Sequence, residues 1–206
     1  MCRWIETIAL VNGVIINLDY HIKRIERSLV ESDLIVKSLI QHLDSMDLPS
    51  EGQYKLRVLY DSREVVEVAL SRYSVGIITS FELVEAVNLD YSAKYEDRSL
   101  FNQLKEGSSF DELIITQNGF ITDTTYSNLI FQKQGNWFTP HTFLLRGTYR
   151  ESLLDKGEIK EANITHSNLA SFSKFKLINA MLPIETSPTY LIDQIHCSTR
   201  SFLPSF

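Results

Sequence analysis

Residues 4–29 read WIETIALVNGVIINLDYHIKRIERSL, and this stretch decides the kind of fold the chain can have. Trp4 to Val11 is rich in β-branched side chains, Asn12-Gly13 supplies two residues that tolerate positive φ, and Val14 to Leu18 returns as a second strand. Asp19 can then cap a helix by accepting a backbone N–H bond. Beyond it, Ile22, Ile25 and Leu29 recur at helical spacing, with Lys23, Arg24, Glu26 and Arg27 between them. A hairpin that runs straight into an amphipathic helix begins an α+β unit rather than a βαβ alternation.

The pattern continues outward. Ile35, Leu39, Ile40 and Leu43 make one stripe of a second helix, ended by Pro49 and Gly52. Tyr54 to Tyr60 and Val65 to Tyr73 alternate with a period of two around Asp61-Ser62, which predicts an antiparallel pair with one buried face. Later segments predict a helix over 97–105, a hairpin around Asn118-Gly119, a second around Gly135, and a helix from Gly147-Thr148 to Leu154. A short strand follows at Ile159 to Ile164, then a helix capped by Thr165 or Ser167, and a buried strand at Phe175 to Ile178. Strands come in runs with helices set apart, so the fold class is α+β in two domains, 1–85 and 86–206. The tail from Ile192 carries no assignable pattern.

Composition sets bounds on function. The 206 residues are 44% hydrophobic and 22% charged, which excludes a disordered chain. The net charge of −6 argues against nucleic acid as the main partner, because phosphate backbones need a surplus of Lys and Arg. Cys2 and Cys197 are too few for a disulfide framework and lack metal-ligand spacing, as do the five histidines. No run approaches the ~20 apolar residues of a membrane helix, and Met1 to Leu10, with Glu6 inside it, does not read as a signal peptide. A reducing cytoplasm is then the natural compartment, and neither a metal nor a membrane partner is expected.

Generic motifs give little chemistry. There is no phosphate-binding glycine loop, no HExxH and no serine nucleophile elbow. By composition alone Lys94, between Asp90-Tyr91 and Glu96-Asp97-Arg98, reads as a surface lysine among acids.

The order of several segments changes that reading. They are Ile5-Glu6-Thr7-Ile8 before Asn12-Gly13, His21-Ile22-Lys23-Arg24-Ile25, Lys94-Tyr95-Glu96-Asp97-Arg98, and Asp111-Glu112. They continue with Gly119 through Asn128-Leu129, Thr139-Pro140, Leu145-Arg146-Gly147-Thr148-Tyr149-Arg150, and Asn179-Ala180-Met181-Leu182-Pro183. Together they resemble the class IV pyridoxal-phosphate enzymes, which include branched-chain and D-amino-acid aminotransferases and aminodeoxychorismate lyase. The resemblance runs from about residue 4 to residue 185 and implies the two-domain fold of the D-amino-acid aminotransferase-like enzymes, fold type IV.

The same resemblance implies roles. Lys94 would form a Schiff base with the aldehyde of pyridoxal 5'-phosphate and move the substrate proton, with Glu96 and Asp97 turned away. Asp123 would accept the pyridine N–H, although relatives usually carry Glu there, one methylene longer; its alternative is a strand-end residue. Arg24 would meet the phosphate, unless it is an exposed helix arginine. Gly147, Thr148 and Tyr149 match the phosphate-binding turn, where relatives more often have Ile and Thr after the glycine. Asn179 and Ala180 match the second phosphate loop, and Asn128 a position at the cofactor ring edge or simply a strand end. Arg98 would hold a substrate carboxylate, or pair with Asp97 or Glu96.

The Lys94-to-Arg98 run, the Asn179-to-Pro183 loop and the short length lean towards a lyase of folate synthesis. It would convert 4-amino-4-deoxychorismate to 4-aminobenzoate and pyruvate, against an amino-acid aminotransferase as the alternative. A homodimer is implied. Longer relatives carry an extra strand before the Glu-Thr run, which implies a more open site here, or one completed by the partner. Positive charge is expected to gather at Arg24, Lys94, Arg98, Arg146 and Arg150.

Overall fold

The opening hairpin forms as β1 (Trp4–Val11) and β2 (Val14–Ile15) in the computed structural model, which describes residues 2–203. Asn12 at φ 47° and Gly13 at φ 80° make its turn, with the twist that a two-residue hairpin loop needs. The helix α1 (Leu18–Ser28) follows. Its N-cap is Asn17, left-handed at φ 54° and without a side-chain cap bond, so Asp19 does not cap the helix. Asp19 sits in the first turn, where a negative charge favours the helix dipole.

The chain continues through α2 (Asp33–Ser45), β3 (Gln53–Tyr60) and β4 (Val65–Arg72). The strands form one antiparallel sheet in the order β2-β1-β3-β4. Ile8, Leu56 and Val58 of the sheet pack on Ile25, Ile35, Leu39 and Leu43 of the helices. Side chains alternate along a strand, so Glu6 shares the inward face of β1 with Ile8. Residues 93–97 add to the same unit: the Ile5 N–H donates to the Lys94 carbonyl at 2.9 Å and the Glu96 N–H to the Arg3 carbonyl at 3.0 Å. Unit 1 thus comprises the chain up to Val75 together with Ala93–Asp97.

Unit 2 comprises Gly76–Ser92 and the chain from Arg98 onward. It contains β5 (Phe81–Ala86), α3 (Ser99–Lys105), β6 (Glu112–Gln117), β7 (Phe120–Thr124), β8 (Asn128–Lys133) and β9 (Asn136–Pro140). After these come α4 (Thr148–Asp155), β10 (Lys160–Ala162), a 3-10 helix over His166–Ser171, β11 (Lys174–Ile178), β12 (Tyr190–Leu191) and β13 (Ile195–Phe202). The 3-10 helix is capped by Thr165, with Asn168 reaching back in a capping box.

The sheet runs β10-β9-β8-β7-β6-β5-β13, with β11 joining β8 and β12 joining β11. Most pairs are antiparallel; β5–β6, β5–β13 and β9–β10 are parallel. Phe81, Phe131, Phe175, Leu129 and Leu177 form the centre of the core. Three strands, β5, β12 and β13, have no counterpart in the sequence reading. Five of the six residues of β5 are buried, so it shows no alternation. The strand β13 lies at the sheet edge and shows little apolar pattern; its register with β5 shifts between Cys197 and Ser201. A boundary at 85/86 would cut β5 before its last residue. No described helix is long and apolar enough to cross a membrane.

Candidate active-site residues

In unit 1 the inward register position of Glu6 has a consequence. Its carboxylate is fully buried and receives Arg24 side-on: Nε donates to Oε1 at 2.8 Å, and Nη2 donates to Oε2. His21, one turn earlier on α1, places Nδ1 2.5 Å from the same Oε2. Burial pushes the Glu6 carboxyl up, but the Arg24 charge and the bonds from His21 and Arg24 outweigh it and hold it at about 2. Because the carboxylate only accepts, His21 Nδ1 carries the hydrogen. Burial drives the His21 pKa down, the Glu6 contact opposes this, and the charges of Arg24 and Lys94 lower it further. Arg24 is therefore a buried ion-paired residue, not an exposed helix arginine.

Lys94 belongs to this unit. Its backbone is tied to β1 one residue from Glu6, its side chain is half-buried, and its charge reaches His21. The neighbouring Glu96 pairs with Arg57 at 3.1 Å and Arg3 at 3.7 Å. The structure thus brings Lys94 and Arg24 into one electrostatic cluster with Glu6 and His21. Those two lie in the segments that carry the resemblance but received no role from the sequence; an acid on the otherwise apolar inward face of β1 was the available signal.

In unit 2 the central group is Asp123, on β7 and 4% exposed. Asn128 Nδ2 donates to Oδ1 at 2.7 Å, and the backbone N–H groups of Leu144 and Leu145 donate to Oδ2 at 2.9 and 2.8 Å. A carboxylate offers about four acceptor positions, so these three bonds leave one on Oδ1. Burial pushes the Asp123 carboxyl up to about 6, and the hydrogen bonds offset this only in part. A cationic N–H at the remaining position would restore its charge, which is the fit that a protonated pyridine nitrogen requires.

Asn128 also donates to the Leu145 carbonyl at 3.0 Å. Gly147 lies so close that a Cβ there would sit 1.8 Å from Asn128 Oδ1. Glycine is therefore required at the N-cap of α4 by this packing. The next two side chains turn inward: Thr148 is buried, and the Tyr149 hydroxyl accepts the Ile184 N–H at 3.0 Å and lies 3.4 Å from Glu185. What this turn offers an anion is its backbone. Asn179 donates to Ser127 Oγ at 2.9 Å and accepts the Met181 N–H at 2.8 Å, which shapes the loop around half-buried Ala180.

Arg98 stacks on Phe101 and Tyr91 and donates to the Tyr91 hydroxyl and the Thr125 carbonyl. Two of its five N–H groups are used in this way, and neither goes to Asp97 or Glu96. Arg146 pairs with Glu151, and buried Arg150 ties Thr139, Pro140 and Glu161 together.

Comparison with known proteins adds to this geometry. The family model for amino-transferase class IV matches residues 92–185. A protein of Haemophilus influenzae whose name assigns no activity is 39% identical over 181 residues, covering 85% of this chain and 96% of that one. A crystal structure from Haemophilus somnus, named a "putative 4-amino-4-deoxychorismate lyase", is 32% identical with a TM-score of 0.79 and covers 89% of this chain and 98% of its own. A hypothetical aminotransferase of Mycobacterium tuberculosis, in its PLP-bound form, shares the fold at 16% identity with a TM-score of 0.65, over 91% of this chain and 80% of its own.

Proposed function

The chain belongs to the class IV aminotransferase family, and on that premise we propose that it is a lyase that splits 4-amino-4-deoxychorismate into 4-aminobenzoate and pyruvate, with pyridoxal phosphate as its cofactor. The observation that carries the reading is the likeness to the Haemophilus somnus protein along nearly all of that protein's length. The chemistry of the donor set supports it: in one unit a lysine and a buried guanidinium whose charges both act on His21, and in the other a buried carboxylate with one acceptor position left.

When bound, the cofactor supplies an aldehyde that condenses with an amine and a ring that draws electrons from the carbon being deprotonated. Lys94 is the amine that holds it and the base that moves the substrate proton at Nζ. Asp123 accepts the ring N–H, and Asn128 with the Leu144 and Leu145 amides keeps that carboxylate in one orientation. Arg24 binds phosphate oxygens, as do the backbone amides of the Gly147-Thr148-Tyr149 turn at the start of α4 and of the Asn179-Ala180 loop. Arg98 uses its remaining N–H groups for a substrate carboxylate. The same reading makes the working form a cytoplasmic homodimer, which sedimentation of the purified protein checks.

The deciding experiment incubates purified, cofactor-loaded protein with 4-amino-4-deoxychorismate and, separately, with amino acids and a panel of 2-oxo acids. Equimolar 4-aminobenzoate and pyruvate are expected. Amino transfer to 2-oxo acids without 4-aminobenzoate would make the protein an aminotransferase.

A further inference from the structure

A carboxylate that pairs with a phosphate-binding arginine is at first sight counterproductive, because it cancels the charge that attracts the anion. The geometry gives it a purpose. Arg24 is 6% exposed, and a guanidinium this deep is stable only with a counter-charge. Glu6 takes the side-on edge of the fork, Nε and Nη2. The end-on edge, Nη1 with the second Nη2–H, is the one Glu6 does not occupy, and fixing one edge of a planar fork fixes the other. His21 donates from Nδ1 to Oε2 and so holds the carboxylate itself in one rotamer. The charged groups that bear on His21 are Glu6 from β1, Arg24 from α1 and Lys94 from the returning segment, and Tyr60 of β3 lies in the field of Glu6 and Arg24.

We infer that Glu6, braced by His21, is a positioning residue that aims the Arg24 guanidinium at the phosphate, so that phosphate-dependent affinity rests on a side chain that does not touch the cofactor. This rests on the reading above, in which Arg24 meets the phosphate.

The test compares pyridoxal phosphate with pyridoxal, which lacks the phosphate. Each is titrated into the cofactor-stripped wild type, Glu6→Gln, Arg24→Ala and the double variant, and binding is followed by absorbance. The ratio of the two dissociation constants isolates the phosphate contribution. Glu6→Gln is expected to shrink that ratio roughly tenfold, as loss of an outer-shell partner does at metal sites, with pyridoxal binding unchanged. The double variant should be no worse than Arg24→Ala alone, since both act through one group. Equal weakening of both ligands by Glu6→Gln, or additive losses in the double variant, would overturn the inference and leave the functional reading standing. A wild type that binds pyridoxal phosphate no better than pyridoxal would sink the Arg24 assignment and the inference with it. Should Glu6→Gln not fold, Glu6→Asp decides on the same ratio: a fall with pyridoxal unchanged supports the brace, and an unchanged ratio overturns it.

Discussion

Glu6 in unit 1 and Asp123 in unit 2 are buried to nearly the same degree, at 0% and 4% exposure, yet their protons behave oppositely. Glu6 is held at about 2, whereas Asp123 is pushed up to about 6. Burial raises both. Glu6 faces a guanidinium and an imidazole N–H, while Asp123 is held by a side-chain amide and two backbone amides, with the Arg150 charge a minor influence. Neutral dipoles orient a carboxylate well, but they replace lost water less completely than a full positive charge does. One acid is therefore finished within its own unit, and the other is poised for a cation.

The largest expected effect comes from Lys94. Lys94→Ala should lower turnover roughly 10^4-fold, the upper end for loss of a proton-transferring group. It also removes a charge that depresses His21, so the His21 imidazole should titrate at higher pH, as read by NMR. An unmoved His21 would mean that Lys94 is not part of the unit 1 cluster.

Arg24→Ala makes Glu6 resemble Asp123 by taking away its cation. An uncompensated buried charge costs about 3–5 kcal/mol, to be measured by urea unfolding near neutral pH. Part of that loss should be recovered at low pH, where Glu6 can take up a proton.

The pH dependence sets the two acids against each other. The folded pKa of Glu6 lies below its ordinary 4.5, so its stabilisation is present above that pH and is lost as the pH falls towards about 2. Asp123 is the reverse: between its ordinary 3.8 and about 6 the native state holds the extra proton, so stability declines as the pH rises through that window. Asp123→Asn should abolish this decline, which amounts to at most about 3 kcal/mol. Unfolding curves for both proteins across the window check it, and equal slopes would remove the contrast.

Gly147→Ala has the smallest expected effect. Its Cβ would meet Asn128 Oδ1 at 1.8 Å, so Asn128 must swing away from Asp123. Such overpacking costs about 1–3 kcal/mol, and the loss of one donor should raise the Asp123 pKa further. Adding Asn128→Ala should relieve the strain, so that the double variant is more stable than the sum of the two losses predicts.

Much of the fold was legible because its signals are local. Asn12-Gly13, the Ile22, Ile25, Leu29 spacing and the alternation around Asp61-Ser62 each specify their own element through backbone conformation and periodicity. The strand β5 was not, because burial on both faces erases alternation; nor was β13, because an edge strand is held by its backbone ladder rather than by apolar side chains. Among the site residues, Lys94, Arg24 and Asp123 stand out by the order of the segments that carry them. Their pairings do not show there: Glu6 and His21 lie in quoted segments but are 15 residues apart, and the amides that hold Asp123 come from 21 and 22 residues further along the chain.

The sequence by itself determined most of the element types, the α+β class and the kind of groups available: an amine, a guanidinium and a short carboxylate at set points along the chain. Only the tertiary structure decided their states. Which edge of Arg24 is committed, which tautomer His21 adopts and why Asp123 resists ionisation depend on what burial removes and on which distant residues replace the lost water. A pKa or a fixed orientation is a difference between environments, and an environment is assembled from contacts that sequence spacing does not encode.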